Sequence, residues 1–155
     1  MTFLVPAAVV EDTERSFRSG QHEVFVLWTS ALDRTGTNTL ISRAVTPRQR
    51  AGQTTLGVYV HIEGEELSRI QIANYRCGER SVVQLHTHPS ADVNMSGLDR
   101  EWEVLRHAGA LSIIVPRYGI APLIGFRGVN VYEREDGGWR LWPTTEVAKR
   151  LRVAQ

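Results

Sequence analysis

Cysteine is nearly absent from this chain: Cys77 stands alone among 155 residues, so no internal disulfide can form and a hydrophobic core has to hold the fold. A lone thiol fits a reducing compartment, and the cytoplasm is the expected location. An excess of one charge is lacking too. Eighteen Lys and Arg against seventeen Asp and Glu leave a formal net charge of +1, which provides no basic footprint for nucleic acid. No apolar run approaches the ~20 residues that span a bilayer. The opening Met1-Thr2-Phe3-Leu4-Val5-Pro6 has no basic stretch before it, and Glu11, Asp12 and Glu14 follow closely, so neither a membrane anchor nor a secretory leader is expected. No repeat, low-complexity tract or composition shift marks a linker. With 42% hydrophobic and 23% charged residues, the expectation is one domain over residues 1–155 with a sizeable core.

What is present is a succession of helix and strand signals. Pro6 at a first helical position, Val9, Thr13 and Phe17 at i, i+4 and i+8, and Gly20 as a stop predict a first helix. From Glu23 onward the run Val24-Phe25-Val26-Leu27-Trp28 predicts a strand buried on both faces, with Glu23 at its mouth. Leu32 to Asn38 reads as a turn-rich link, Leu40 to Val45 as a second strand, Pro47 to Gln53 as a basic loop and Leu56 to Ile62 as a third strand. His61 has no ligand-type neighbour and reads as exposed or hydrogen-bonded. Glu65 to Cys77 puts Leu67, Ile70, Ala73 and Cys77 on one helical face before Gly78, so Cys77 is expected in the core as a small apolar residue.

Farther on, Ser96 to about His107 predicts a helix, with His107 a structural residue at its end, and Leu111 to Pro116 predicts a buried strand. Leu123 to Phe126 and Val129 to Glu133 read as strands, Asp136-Gly137-Gly138 as a hairpin turn into Trp139 to Trp142, and Thr144 to Arg152 as a closing helix. The sum is a mixed α/β (α+β) domain.

Within this frame one stretch concentrates chemistry. The strand-like Ser81-Val82-Val83-Gln84-Leu85 leads into His86-Thr87-His88-Pro89, and alternate side chains of a strand share a face, so the two imidazoles aim the same way. Pro89 ends the strand, and a polar connection through Asp92 and Asn94 follows. Ser96 then precedes an apolar pattern at helical spacing and is an N-cap candidate, with Asp99 in the first turn. Each piece alone has an ordinary structural explanation. Together, two imidazoles and a carboxylate within fourteen positions suit zinc, and three protein ligands leave the fourth position for water, the arrangement of a catalytic zinc.

His-x-His-Pro, six residues, then Ser-x-x-Asp resembles the signature of the JAMM (MPN-type, JAB-domain) zinc metalloproteases. The resemblance implies a JAB/MPN-like, cytidine-deaminase-like fold with a largely antiparallel sheet flanked by helices. It also implies one zinc per chain, held by His86, His88 and Asp99, and hydrolysis of an amide or isopeptide bond at the C-terminus of a ubiquitin-like protein, with conjugation machinery as possible company. Glu23 takes the place of the family's upstream glutamate, as general base and then general acid, although Phe25 and Leu27 stand where many members have glycines. Ser96 takes the place of the serine that donates to the oxyanion. Two other readings stay open: a metal-free MPN-type scaffold, and a relative of the RadC-like DNA-repair-associated proteins, whose histidine motif differs at Thr87 and Ala91.

Overall fold

The structure, a computed structural model, describes residues 1–19, 22–32, 36–55, 57–101 and 103–154. The helix stop expected at Gly20, the middle of the link from Leu32 to Asn38, the strand start at Leu56 and Trp102, within the helix expected from Ser96 to His107, lie outside the described residues. In chain order the elements are β1 (Thr2–Pro6), α1 (Ala7–Phe17), β2 (Phe25–Ala31), β3 (Asn38–Val45), β4 (Arg50–Thr54), β5 (Gly57–His61), α2 (Gly64–Arg76) and β6 (Glu79–Thr87). There follow α3 (Gly97–Glu101), β7 (Leu111–Val115), a single 3-10 turn (Arg117–Gly119), β8 (Asn130–Glu135), β9 (Gly138–Leu141), α4 (Thr144–Arg150) and β10 (Leu151–Ala154).

Among the described residues eight strands form one mixed sheet in the order β10-β1-β3-β2-β6-β7-β8-β9, and β4 and β5 form a separate hairpin. The pairings of β2 with β3, β2 with β6, β7 with β8 and β8 with β9 are antiparallel, whereas β1 with β10, β1 with β3 and β6 with β7 are parallel. The sheet is therefore mostly antiparallel, with helices against both faces.

The continuous apolar run in β2 has its cause in this layering. Val26 and Trp28 join the core that also takes Val9, Val10 and Phe17 of α1 and Val147 of α4, while Phe25 and Leu27 face Ile70 of α2 on the other side. Trp28 is fully buried, and its indole N–H donates to Thr13 Oγ1 at 2.8 Å while the Thr13 hydroxyl donates to the Val9 carbonyl at 2.7 Å. The buried polar atoms of that pair are thus satisfied, as a dry core requires.

Several expectations need correction. Cys77 is exposed, because the buried face of α2 runs through Glu66, Ile70 and Asn74 and leaves Ala73 and Cys77 on the solvent side. The helix expected from Ser96 to His107 has lost its regular form by Glu103: the Gln84 side-chain oxygen accepts the N–H groups of Val104 and Leu105, which a continuing helix would have used internally. Leu123 to Phe126 is not a strand. Its apolar residues Leu123 and Phe126 are buried from a turn in which Gly125 and Phe126 both have positive φ. The basic loop from Pro47 to Gln53 contains the start of β4, and the closing helix ends at Arg150, giving way to the edge strand β10. The terminal strand β1 precedes the first helix.

Candidate metal centre

The centre lies at the end of β6 on the side of the sheet occupied by α2. Val83 and Leu85 point into the opposite core, so Gln84 and His86 face this side. His86 stacks on Phe25, with ring centroids 6.2 Å apart and planes 6° from parallel, and the two residues are register partners across β2 and β6. His88 lies one residue past the strand. Its N–H donates to the Val115 carbonyl at 2.8 Å and its carbonyl accepts the Tyr118 N–H at 2.9 Å, while the Arg117 N–H donates to the carbonyl of Ser90, two residues on, at 2.9 Å.

That grip uses an unusual turn. Arg117 and Tyr118 both have left-handed φ, at 51° and 54°, a conformation costing roughly 1–2 kcal/mol for a residue with a side chain. Gly119 continues the turn at φ 69°, and a Cβ there would meet the Phe17 ring at 2.6 Å. The end of α1 is therefore packed directly against the turn that fixes His88.

Asp99 arrives from α3. Ser96 Oγ accepts the Asp99 N–H at 3.1 Å while Asp99 Oδ2 accepts the Ser96 N–H at 2.8 Å, a reciprocal capping box with Asp in the usual place of Glu. The cap thereby sets the carboxylate: Asp99 Oδ1 lies 3.2 Å from His86 Nε2 and Oδ2 lies 3.2 Å from His88 Nε2. The two Nε2 atoms are themselves 3.1 Å apart.

His88 Nδ1 donates to the Asp92 carbonyl at 2.7 Å, and because a carbonyl only accepts, the neutral ring carries its free lone pair on Nε2. His86 Nδ1 is buried and has no hydrogen-bond partner among the described residues. Two imidazole nitrogens and a carboxylate, all within 4.8 Å of one another, form a group able to hold a metal ion. The fixed tautomer of His88 is the one that such a ligand needs.

Glu23 precedes β2 and is 4% exposed. It lines one cleft with His86 and Asp99, walled further by Phe25, Tyr59, Val60, Gln84 and Leu98, with about 20 Å³ of space, room for about one water molecule. Burial pushes the Glu23 carboxyl up. His86 and His88 pull it back and Asp99 pushes it further, leaving it above its ordinary value. At Asp99 burial also acts upward, but the facing imidazoles of His86 and His88 outweigh it and hold the carboxyl well below the usual carboxylate range. His88 is the mirror case: burial lowers it, and Asp99, the Asp92 carbonyl and the charge of Glu23 raise it above its usual value.

Glu23, His86, His88 and Asp99 thus occupy one neighbourhood, and Ser96 sits beside it as the cap of α3. Sequence reasoning did not reach Tyr59 and Val60, which come from the β4–β5 hairpin, or Leu98 of α3; periodicity shows that such residues are apolar and not what they face. Thr87 has a structural role that periodicity does not show. Its position between the histidines sends its side chain to the opposite face, where Oγ1 accepts the Val24 N–H at 3.0 Å, while its own N–H donates to the Val24 carbonyl at 3.1 Å.

No protein-family model matches the chain. It is 28% identical over 156 residues to a Sinorhizobium fredii protein named as a probable metalloprotease, a match covering 98% of this chain and 94% of that protein. Its fold is shared with the solution structure of a Desulfitobacterium hafniense protein: the TM-score is 0.64 at 12% identity, over 99% of this chain and 94% of the other. Among the described residues no helix is long and apolar enough to cross a membrane.

Proposed function

We propose that this chain is a zinc-dependent peptidase of the JAMM type that hydrolyses an amide or isopeptide bond at the C-terminus of a ubiquitin-like protein, in deconjugation or in precursor processing. The observation that carries the reading is the convergence of His86 Nε2, His88 Nε2 and the Asp99 carboxylate on a cleft shared with a buried glutamate. The relative named as a probable metalloprotease supports a metal-dependent peptidase. The spacing of His86, His88, Ser96 and Asp99 supports the JAMM type and its class of substrate.

The donor set suits zinc. A tetrahedral ion with bonds of ~2.0–2.1 Å has ligand–ligand edges of about 3.3–3.4 Å, close to the 3.1 and 3.2 Å separations among these three residues. Zinc held by His86, His88 and Asp99 would supply a Lewis acid for the scissile carbonyl and a water of lowered pKa.

The remaining work falls to the chain. Glu23, raised in basicity by burial, takes the water's proton on a carboxylate oxygen and passes it to the leaving amine. Ser96 Oγ accepts the Asp99 N–H and keeps its own hydrogen, which is free to donate to the oxyanion. Phe25, Tyr59, Val60 and Leu98 give the cleft apolar walls, which strengthen the electrostatics inside it by excluding water.

The test is incubation of the zinc-loaded chain with C-terminally extended ubiquitin-like and sulfur-carrier proteins, reading products by intact mass. Cleavage by the wild type, with Glu23→Gln inactive at full zinc occupancy, is the expected result. Absence of product from every substrate, or a Glu23→Gln variant that cuts as well as the wild type, would overturn it.

A further inference from the structure

Glu23 leads into a segment whose strand edge is unpaired on one side. β3 pairs with β2 from Val45 opposite Leu27 and ends there, so among the described residues the Phe25 N–H and C=O, which point to the β3 side, have no strand to bond. Buried backbone groups of this kind must find partners. They find a side chain: Phe25 N–H donates to Gln49 Oε1 at 2.7 Å, and Gln49 Nε2 donates to the Phe25 carbonyl at 2.9 Å and to the Pro47 carbonyl at 2.8 Å. A primary amide has the donor and acceptor of a peptide group, and Gln49 here completes one rung of a β-ladder.

Gln49 is itself held from behind. The Arg48 N–H donates to Glu66 Oε2, and the Glu66 carboxylate, buried in α2, also takes a bidentate bond from Arg69. On the opposite flank Thr87 clamps Val24. The two residues that follow Glu23 are therefore gripped from both sides, Val24 by the histidine strand and Phe25 by the loop that leads into the β4–β5 hairpin.

We propose that Gln49 is the positioning residue for Glu23, fixing the segment from which its carboxylate reaches the cleft; the catalytic consequence rests on the reading of Glu23 as the proton-transfer group. Gln49→Met keeps the shape of the side chain and removes all three hydrogen bonds. Gln49→Glu keeps an acceptor for the Phe25 N–H but has no N–H for the Phe25 and Pro47 carbonyls.

The experiment uses the full chain, metal-free and zinc-loaded, and reads amide exchange by NMR before any activity. In Gln49→Met the Phe25 amide should exchange at least ~10-fold faster, with the Leu27 and Trp28 amides unchanged; the Glu23 carboxyl carbon resonance should move, and Gln49→Glu should lie between the two. Zinc should stay at one per chain. With substrate, kcat should fall ~10- to 100-fold, as for a displaced catalytic group, with KM little changed, and Gln49→Met should cost nothing further in a Glu23→Gln background. A Phe25 amide as slow in Gln49→Met as in the wild type, or an unmoved Glu23 resonance, overturns the proposal whatever the enzyme does. A wild type inert toward every substrate, with the exchange and the resonance changed as expected, would instead sink the peptidase reading and leave the clamp standing.

Discussion

The imidazole of His88 donates through Nδ1 to the carbonyl oxygen of Asp92, and this bond turns Nε2 toward His86 and Asp99. The Asp92 carboxylate in turn accepts both the backbone N–H and the side-chain amide of Asn94, at 3.0 and 2.9 Å, so it closes the turn from which that carbonyl projects. Asp92→Ala should therefore loosen the support of His88 without touching a ligand. Loss of such an outer partner typically costs ~10- to 100-fold in metal affinity, and the lower end is expected because the carbonyl itself remains. Competition against a fluorescent zinc chelator measures it; an unchanged affinity would show that the turn holds without Asp92.

His86 Nε2 and His88 Nε2 lie 3.1 Å apart, close enough for both to ligate one cation. Zinc at 100 times its Kd should stabilise the fold by about 2.7 kcal/mol, or about 5–10 °C in Tm for a chain of this size. His88→Ala and Asp99→Ala should abolish that increment. A chelator titration followed by differential scanning calorimetry tests all three proteins, and a Tm indifferent to zinc in the wild type would refute a metal site.

Ser96 carries two duties that substitution can separate. Ser96→Ala removes the acceptor for the Asp99 N–H and should cost about 1 kcal/mol of stability, along with ~100- to 1000-fold in cleavage rate if the hydroxyl serves the oxyanion. Ser96→Asn restores a cap without restoring the hydroxyl. Recovery of Tm without recovery of rate is the expected pattern; recovery of both would make Ser96 a cap alone.

How much of this was legible in the sequence depends on how local each cause is. His86, His88, Ser96 and Asp99 sit within fourteen positions, where strand alternation and helix capping act, and the structure places the four together. Glu23 is sixty-three residues from His86, and no period links them; only the family likeness singled it out. The missed strands β1 and β10 pair in parallel at the sheet edge, so no hairpin turn announces them, and β10 follows α4 with no Gly or Pro between. The helix that stopped short after α3 was ended by Gln84, a competitor for backbone N–H groups that no pattern in residues 96–107 reveals. Gln49 was invisible for the same reason, since its partner is a backbone twenty-four residues away.

Glu66 gives the fold a pH dependence whose sign can be fixed. Hydrogen bonds from Arg69 and from the Arg48 backbone N–H hold its carboxyl down at about 2, against 4.5 for an unperturbed glutamate. A carboxyl with a depressed native pKa stabilises the folded state fully above its unfolded value and loses that contribution as pH falls toward the native one. The window is therefore pH 4.5 down to 2. Glu66→Gln cannot ionise, so the metal-free wild type should exceed it in Tm at pH 6, with a gap that narrows steadily at pH 4, 3 and 2.5. Because the same carboxylate anchors Arg48 beside Gln49, acid should also free the Phe25 amide to exchange over this window in the wild type. A Tm gap constant with pH would mean that the Glu66 carboxylate titrates alike in the folded and unfolded chains.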